Sequence, residues 1–162
     1  MRIFRRRNND QLFQTLLYDE RHFYDRFSND LKAAKKSVLI ESPFMTLRRV
    51  RSLSDLLKRV TNRGVEVRVY SREPRDHTPE LRSQANQAIA VLRSAGVRVF
   101  LCDDLRHRKI AVIDDEILWE GSLNILSQSN SREIMRRTVS KQYVHDMLRF
   151  TEIVNRFGSM KT

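Results

Sequence analysis

Two side chains that can act together on one anion lie two positions apart, at His107 and Lys109. They stand at the start of an apolar run typical of a strand, so both project from the same face. An imidazole can serve as a nucleophile or as a proton donor, because its ordinary pKa of about 6.5 makes both forms accessible near neutrality. The neighbouring ammonium group can stabilise negative charge. The pair therefore predicts a site for an anionic substrate.

A second polar cluster, Gly121-Ser122-Leu123-Asn124, follows shortly after this pair. Residues 109–113 and 117–120 are both strand-like, and the turn-forming Asp114-Asp115-Glu116 separates them, which predicts a β-hairpin. Ser122 and Asn124 share one face of the chain. The hairpin can therefore bring them around the same pocket as His107 and Lys109.

The charge of the chain also indicates an anionic partner. Lys and Arg total 31 against 20 Asp and Glu, which gives a net charge of +11 and a pI near 10.5. Most of these cations are Arg, whose planar fork of donors suits phosphate. The partner is then a nucleic-acid backbone or an acidic membrane surface, with a merely solvated basic surface as the alternative.

The composition predicts one compact, soluble domain over residues 1–162, with a basic tip at 1–10. Cys102 is the only cysteine, so the chain forms no internal disulfide, and a reducing compartment suits it. The basic start lacks the apolar run of a secretory signal, and no stretch approaches the roughly 18 apolar residues of a membrane span. We therefore expect a cytoplasmic protein.

Apolar periodicity predicts an α/β fold in which strands and helices alternate. The predicted first helix carries Leu12, Leu16, Phe23, Phe27 and Leu31, and the others cover about 50–60, 81–92 and 141–156. Predicted strands cover residues 37–42, 65–70 and 97–101. Strand-helix alternation predicts right-handed crossovers and a mostly parallel sheet with helices on both faces. The hairpin adds an antiparallel pair, so the predicted sheet is mixed. The last helix could pack on the sheet or line a dimer seam, and the sheet is favoured.

The residues from His107 to Asn124 resemble the signature of the phospholipase D superfamily. That signature is H-x-K-x4-D followed after six residues by G-S-x-N, and His107, Lys109, Asp114 and Gly121-Ser122-Leu123-Asn124 fill every defined position. The resemblance extends from about Phe13 to Phe157. It implies a phosphodiesterase and, given the small size, high charge and single motif, most closely the small dimeric nucleases of that superfamily.

The implied chemistry needs no metal or other cofactor. Lys109, Asn124 and Ser122 would bind the nonbridging oxygens of a phosphodiester, and His107 would attack phosphorus to form a phosphohistidine. A second, protonated imidazole would supply the leaving oxygen with a proton. Because His22, His77 and His145 do not repeat the motif, the second imidazole is expected from His107 of a partner in a homodimer.

Carboxylates near the motif have two candidate roles. Glu133 resembles the acidic residue that orients the nucleophilic histidine in the family, with Asp103 and Asp104 as competitors. Asp114 belongs to the signature and is a candidate catalytic residue, but it has the opposite strand parity from His107. A structural role, pinning the hairpin or a neighbouring cation, is therefore favoured for Asp114.

Two groups of arginines are candidate nucleic-acid contacts. Arg106 and Arg108 flank the histidine, although Arg108 should point to the other face of the strand. The second group consists of Arg48, Arg49 and Arg51. The aromatic residues Trp119, Tyr70 and Phe44 could stack on bases, but burial in the core is favoured.

The predicted function is hydrolysis of DNA or RNA by a metal-independent endonuclease, alone or as the cutting domain of a larger nucleic-acid-processing assembly. Backbone contacts carry no base information, so weak sequence preference is expected. The alternatives are a phosphatidyl hydrolase acting on anionic lipid and a noncatalytic nucleic-acid-binding module. A phosphatidyl hydrolase would need an exposed apolar rim or helix to meet the lipid surface. A noncatalytic binding module would not need a nucleophile, so the intact motif argues against it.

Overall fold

The computed structural model describes residues 14–76, 78–127 and 130–153. The predicted basic tip at 1–10, Leu12, His77 and the end of the predicted last helix lie outside the described residues. Within them, no helix has the length and apolar character that crossing a membrane requires.

Seven strands and four α-helices make up the described chain. The strands are β1 (Gln14–Asp19), β2 (Ser37–Glu41), β3 (Glu66–Arg72), β4 (Arg98–Cys102), β5 (Ile110–Ile113), β6 (Ile117–Gly121) and β7 (Ile134–Val139). The helices are α1 (Phe23–Ala33), α2 (Leu47–Asn62), α3 (Pro79–Ser94) and α4 (Lys141–Thr151), with a short 3-10 helix at Pro74–Asp76. Thr46, Thr78 and Ser140 cap α2, α3 and α4 through their side-chain oxygens.

The strands form one mixed sheet in the order β1-β7-β6-β5-β2-β3-β4. This confirms the predicted α/β class. The expectation of a mostly parallel sheet is wrong, since only the pairs β2-β3 and β3-β4 are parallel in the described chain, and the other four pairs are antiparallel. The predicted alternation of helices and parallel strands holds as far as β4. The chain then crosses to the other side of β2, where β5, β6 and β7 follow one another as an antiparallel meander.

The predicted first helix is wrong over its N-terminal half. Leu16 lies in β1, which pairs with β7 at the outer edge of the sheet, and α1 begins only at Phe23. Between them Asp19 accepts hydrogen bonds from the backbone N–H groups of Arg21 and His22, which turns the chain. Leu16 and Phe23 are seven residues apart, a spacing that fits two helical turns but does not require them.

Helices cover both faces of the sheet, as predicted. Helices α1, α2 and α3 pack on one face, where Phe27, Leu57 and Leu92 are fully buried. Helix α4 packs on the other face through Val144, with Met147 beside it. The favoured position of the last helix, against the sheet, is therefore the one it occupies.

A buried ion pair joins α1 to the antiparallel half of the sheet. The carboxylate of Asp30 accepts hydrogen bonds from Nε and an Nη of Arg137 at 2.8 and 2.9 Å, and from the indole N–H of Trp119 at 2.9 Å. Three donors thus satisfy the buried carboxylate. Removal of the Asp30 carboxylate would leave Arg137 as an uncompensated charge in the interior. Strand β7 was absent from the sequence prediction, since Arg136 and Arg137 interrupt its apolar pattern.

Strand directions bring the chemically interesting residues to one edge of the sheet, here called the active edge. Strands β2, β3, β4 and β6 end there, while β5 and β7 begin there. In α/β sheets the carboxyl ends of parallel strands are the usual place for a ligand. His107, Lys109, Ser122 and Glu133 all lie within a few residues of this edge.

Asp114 lies at the opposite edge, in the turn between β5 and β6. Its carboxylate accepts hydrogen bonds from the backbone N–H groups of Lys35, Lys36 and Ser37, at 2.7 to 3.1 Å. Burial alone would raise the pKa of Asp114, but these donors outweigh it and hold the pKa below its ordinary value of 3.8. The contacts tie the hairpin to the start of β2, and the span of β5 separates this carboxylate from Lys109 by roughly 15 Å.

Replacing Asp114 with Asn should lower the free energy of unfolding by about 1–2 kcal/mol at neutral pH, because a neutral amide is a weaker acceptor for three N–H groups. The depressed pKa means that this stabilisation is present above pH ~4 and is lost as the pH falls through the folded-state pKa. Urea unfolding of both proteins between about pH 3 and pH 7 tests this. Asp115→Asn is the matched control, since Asp115 has the same positive φ in the same turn and is exposed; equal losses in both variants would contradict the assignment.

Candidate active site

His107 and Lys109 are in direct contact at the active edge. The segment 103–109 runs without regular structure from β4 into β5, which places the His107 ring at the surface while Lys109 is only 8% exposed. The Lys109 ammonium nitrogen lies 2.7 Å from Nδ1 of His107 and 2.6 Å from its carbonyl oxygen. The two side chains therefore lie on the same face, as predicted.

This contact determines which ring nitrogen of a neutral His107 carries the proton. An ammonium group has three donors and no acceptor, so Nδ1 accepts from Lys109. In the neutral ring the proton is then on Nε2. A lone pair at Nε2 becomes available only when Lys109 no longer donates to Nδ1.

Burial lowers the pKa of Lys109 below its ordinary value, and the negative charge of Glu133 partly opposes that effect. Desolvation disfavours the charged ammonium, whereas a nearby carboxylate favours it. The site therefore contains a cation that is poorly solvated and has much to gain from an anionic ligand.

The G-S-x-N element is fixed beside Lys109 by backbone contacts. The Gly121 N–H donates to the Lys109 carbonyl at 3.3 Å, and the Ser122 N–H donates to the Ile134 carbonyl at 3.0 Å. A Cβ at position 121 would lie 2.1 Å from that same carbonyl oxygen, so glycine is required by close approach of the backbone. The two parts of the motif are therefore adjacent in space.

Ser122 and Asn124 have different surroundings. The Ser122 hydroxyl accepts a hydrogen bond from the Ile134 N–H at 3.1 Å, so it also holds β7 in place. The Asn124 side-chain oxygen is buried and accepts no hydrogen bond within the described chain. The following loop is anchored by the Leu126 N–H, which donates to the Ser42 hydroxyl, and by the Tyr24 hydroxyl, which donates to the Ile125 carbonyl.

Glu133 lies near the motif but does not contact His107 in this structure. Its carboxylate accepts a hydrogen bond from the Ser131 hydroxyl at 2.7 Å, and its backbone N–H donates to Glu20. Its charge nevertheless acts on Lys109. Of the competitors, Asp104 binds Arg106 and Asp103 is exposed. The orienting role of Glu133 therefore stays a prediction.

Arg106 and Arg108 are paired with carboxylates of the same chain, which disfavours the predicted contact with a nucleic-acid backbone. The Arg106 side chain is 4% exposed and forms two hydrogen bonds with Asp104, at 2.6 and 2.7 Å. Nε of Arg108 donates to Glu41 at 3.0 Å, on the face opposite to His107, as its parity predicted. Both cations also lie near the fully buried Glu41 carboxylate.

The other predicted basic group lies at the start of α2. Arg48 and Arg51 are exposed there, and Arg49 lies over the ring of Tyr24 at 3.8 Å. Because Tyr24 also binds the loop after Asn124, these arginines flank the motif on the side of α1. Their role in binding a substrate remains a prediction.

Glu41 and Arg72 at the active edge were not assigned a role at this site from the sequence, and Phe44, for which burial in the core was favoured, is only half-buried there. Glu41 ends β2 and balances the charges of Arg106 and Arg108. The Phe44 ring meets the His107 ring edge-on, with 6.0 Å between centroids, and Arg72 lies over Phe44 at 5.8 Å. The sequence offered one signal for such a role, the charged Glu41 at the end of an apolar strand. Trp119 and Tyr70 are fully buried, as favoured.

Comparison with known proteins identifies the family. A family model described as "Cardiolipin synthase, PLD-like domain" matches residues 27–153, which is most of the chain. The chain belongs to the phospholipase D-like family. A curated relative of this phospholipase D-like chain, the cardiolipin synthase of Listeria welshimeri, is 32% identical over 96 residues, which are 59% of the chain and 19% of that protein. The chain thus matches only about a fifth of the length of that relative.

Two small solved structures share the phospholipase D-like fold over almost their whole length. NucT from Helicobacter pylori has a TM-score of 0.70 at 21% identity, covering 86% of this chain and 94% of that one. Nuc from Salmonella typhimurium, a phospholipase D family member, has a TM-score of 0.70 at 14% identity, covering 85% and 91%. These likenesses confirm the fold of the phospholipase D-like chain.

Hydrolysis of a phosphodiester by this phospholipase D-like site should fall at alkaline pH as Lys109 loses its proton. Because burial lowers its pKa below 10.5, kcat/KM should decline below the pH at which a solvated lysine titrates. In Lys109→Arg the guanidinium stays charged, so the decline should move to higher pH even though the rate is lower. Rates with bis(p-nitrophenyl) phosphate between about pH 6 and pH 11 test this, with circular dichroism at each pH as the folding control. An unchanged alkaline limb in the variant would show that Lys109 is not the group that titrates.

Proposed function

We propose that the chain is a metal-independent phosphodiesterase, an endonuclease that hydrolyses nucleic-acid backbones at a site shared between two copies of the chain. The observation that carries this proposal is the contact between the exposed His107 ring and the buried Lys109 ammonium, beside the Gly121–Asn124 loop. A phosphodiester would bring its negative charge to Lys109 and to the amide of Asn124, and its phosphorus to His107.

The first step forms a bond between Nε2 of His107 and phosphorus and breaks the bond from phosphorus to the leaving oxygen. One of the three Lys109 donors binds the His107 carbonyl, so a phosphate that takes two donors through two of its oxygens displaces Nδ1. The ring proton then resides on Nδ1, with Glu133 as the proposed acceptor, and the Nε2 lone pair is free to attack. A protonated imidazole on the other side of the phosphate gives its proton to the leaving alkoxide.

The second step reverses these roles. The imidazole that gave up its proton takes one from water, and the resulting hydroxide oxygen attacks phosphorus. The bond from phosphorus to Nε2 of His107 breaks, and the product leaves with a terminal phosphate. Stabilisation of the phosphoryl oxygens by Lys109 serves both steps, because the charge develops at the same place in each.

The second imidazole is proposed to be His107 of a partner chain. The exposed ring at the active edge is accessible to a two-fold related copy, whose own ring would then lie on the opposite side of the phosphate. Within the chain, the exposed His22 ring is held by Asp19 at 2.7 Å, and it lacks the lysine two positions on that the motif pairs with the histidine.

Nucleic acid is favoured as the substrate by charge. A chain of net charge +11 gains from a polyanion through release of counterions, a gain that grows with every phosphate contacted. The cardiolipin synthase relatives favour a second candidate, a phosphatidyl hydrolase or transferase acting on anionic phospholipid. Leu17, Leu105, Ile134 and Phe150 are among the exposed apolar side chains of the described chain that could meet a lipid surface.

His107→Ala should abolish cleavage of labelled DNA or RNA by the purified chain in excess chelator, a loss of at least a thousandfold expected for a missing nucleophile. Single- and double-stranded forms of each nucleic acid are tested in parallel, with phosphatidylglycerol vesicles as the lipid substrate. Equal cleavage by both proteins would reject the mechanism. Cleavage of lipid alone would select the second candidate, and binding without cleavage would indicate a noncatalytic module.

Mixing wild-type and His107→Ala chains tests the shared site. If each site needs both histidines, random assortment of equal amounts leaves about a quarter of the dimers active, so activity per wild-type chain falls to about half. Cleavage rates after mixing, compared with wild type diluted by buffer, measure this. Unchanged activity per wild-type chain, or a monomer in sedimentation at the assay concentration, would show that one chain suffices.

A further inference from the structure

Arg72 is a cation at the active edge whose charge no described residue balances. It ends β3, one strand away from the segment that carries His107, and its side chain is partly buried. Its Nε is enclosed by protein yet donates to no acceptor within the described chain. Among the described residues, no carboxylate lies within ion-pair distance of its guanidinium.

Several other arginines that the described chain buries, fully or in part, are paired with a carboxylate. Arg106 and Arg108 bind Asp104 and Glu41, and Arg137 binds Asp30. At the opposite edge of the sheet, Arg98 binds Glu66. Burial of Nε without an acceptor is energetically costly, so the guanidinium gains from an anion that approaches its partly exposed side chain.

Phe44 links Arg72 to the reacting centre. Its ring is 6.0 Å from the His107 ring and 5.8 Å from the Arg72 guanidinium carbon. The guanidinium is therefore no more than about 12 Å from the imidazole, a span of at most three or four nucleotides at about 3.4 Å rise each. A phosphate bound to Arg72 would belong to a residue close to the one being cleaved.

The geometry points to a second phosphate subsite, in which Arg72, beside Phe44, binds a phosphate of the same nucleic-acid strand near the phosphate at His107. This subsite rests on the proposed function and specifies its substrate, a chain of several phosphodiesters rather than a single one. A planar guanidinium binds two phosphate oxygens at once, and the face of Phe44 offers a surface for a base or sugar.

The test separates binding from chemistry. Arg72→Gln and Arg72→Lys are made in the wild type and in the His107→Ala background, and binding to a fluorescent single-stranded oligonucleotide is measured by anisotropy over a range of salt concentrations. Arg72→Gln should weaken binding about ten- to hundredfold and lower the slope of log affinity against log salt by about one. Arg72→Lys should keep the slope and lose part of the affinity, because charge remains without the fork.

Catalysis supplies a second readout in the wild-type background. Arg72→Gln should lower kcat/KM for the oligonucleotide and leave it unchanged for bis(p-nitrophenyl) phosphate, which has one phosphate and nothing for the subsite to bind. Arg98→Gln is the matched control, since it removes the same charge from the opposite edge and should change neither substrate. Thermal melting of each variant verifies folding.

The outcomes distinguish this subsite from the proposed function. Equal loss on both substrates would place Arg72 at the scissile phosphate and overturn the subsite, as would unchanged affinity and salt slope. Weaker binding to phosphatidylglycerol vesicles, with oligonucleotide binding intact, would overturn it in favour of a lipid headgroup. If the wild-type chain cleaves none of the substrates, the proposed function fails. The salt dependence of oligonucleotide binding, measured by anisotropy, still decides whether Arg72 binds a phosphate of the strand.

Discussion

The contact between the Lys109 ammonium and Nδ1 of His107 is the interaction on which the site depends. Lys109 immediately precedes β5, and its buried side chain places the charge beside the ring. The Lys109 carbonyl accepts a hydrogen bond from the Gly121 N–H and so fixes the second part of the motif. One residue thus links the nucleophile, the cationic charge and the loop that carries Asn124. A change in the register of β5 against β6 by one residue would turn Lys109 to the other face and separate all three.

Internal ion pairs determine which cations remain available to a substrate. The net charge of +11 suggests a uniformly basic surface, but Glu41 and Asp104 neutralise Arg106 and Arg108, and Asp30 neutralises Arg137. These pairs hold the irregular segment before β5 and the antiparallel half of the sheet in place. Near the exposed His107 ring, the cations that no described carboxylate pairs with are Lys109, Arg72, Arg48 and Arg51.

The sequence predicted those parts of the fold that local patterns determine. Strands β2, β3 and β4, helices α2 and α3, and the β5-β6 hairpin have periodicities and turns that fit one structure only, and the motif located His107 and Lys109. Strands β1 and β7 were missed because β1 is an exposed edge strand and β7 contains Arg137, whose burial depends on Asp30, far away in the chain. The roles of Glu41 and Arg72 were missed for the same reason, since their neighbours are set by strand order.

The resting arrangement has a consequence for selectivity in the proposed reaction. While Lys109 donates to Nδ1, the neutral ring keeps its proton on Nε2 and water near the exposed ring meets no nucleophile there. In the proposed reaction a phosphate that takes two of the three Lys109 donors displaces Nδ1, because an anion is a better acceptor than a neutral ring. Binding of the anionic substrate and activation of the nucleophile are then one event, so an uncharged ester that reached His107 would find the ring inactive.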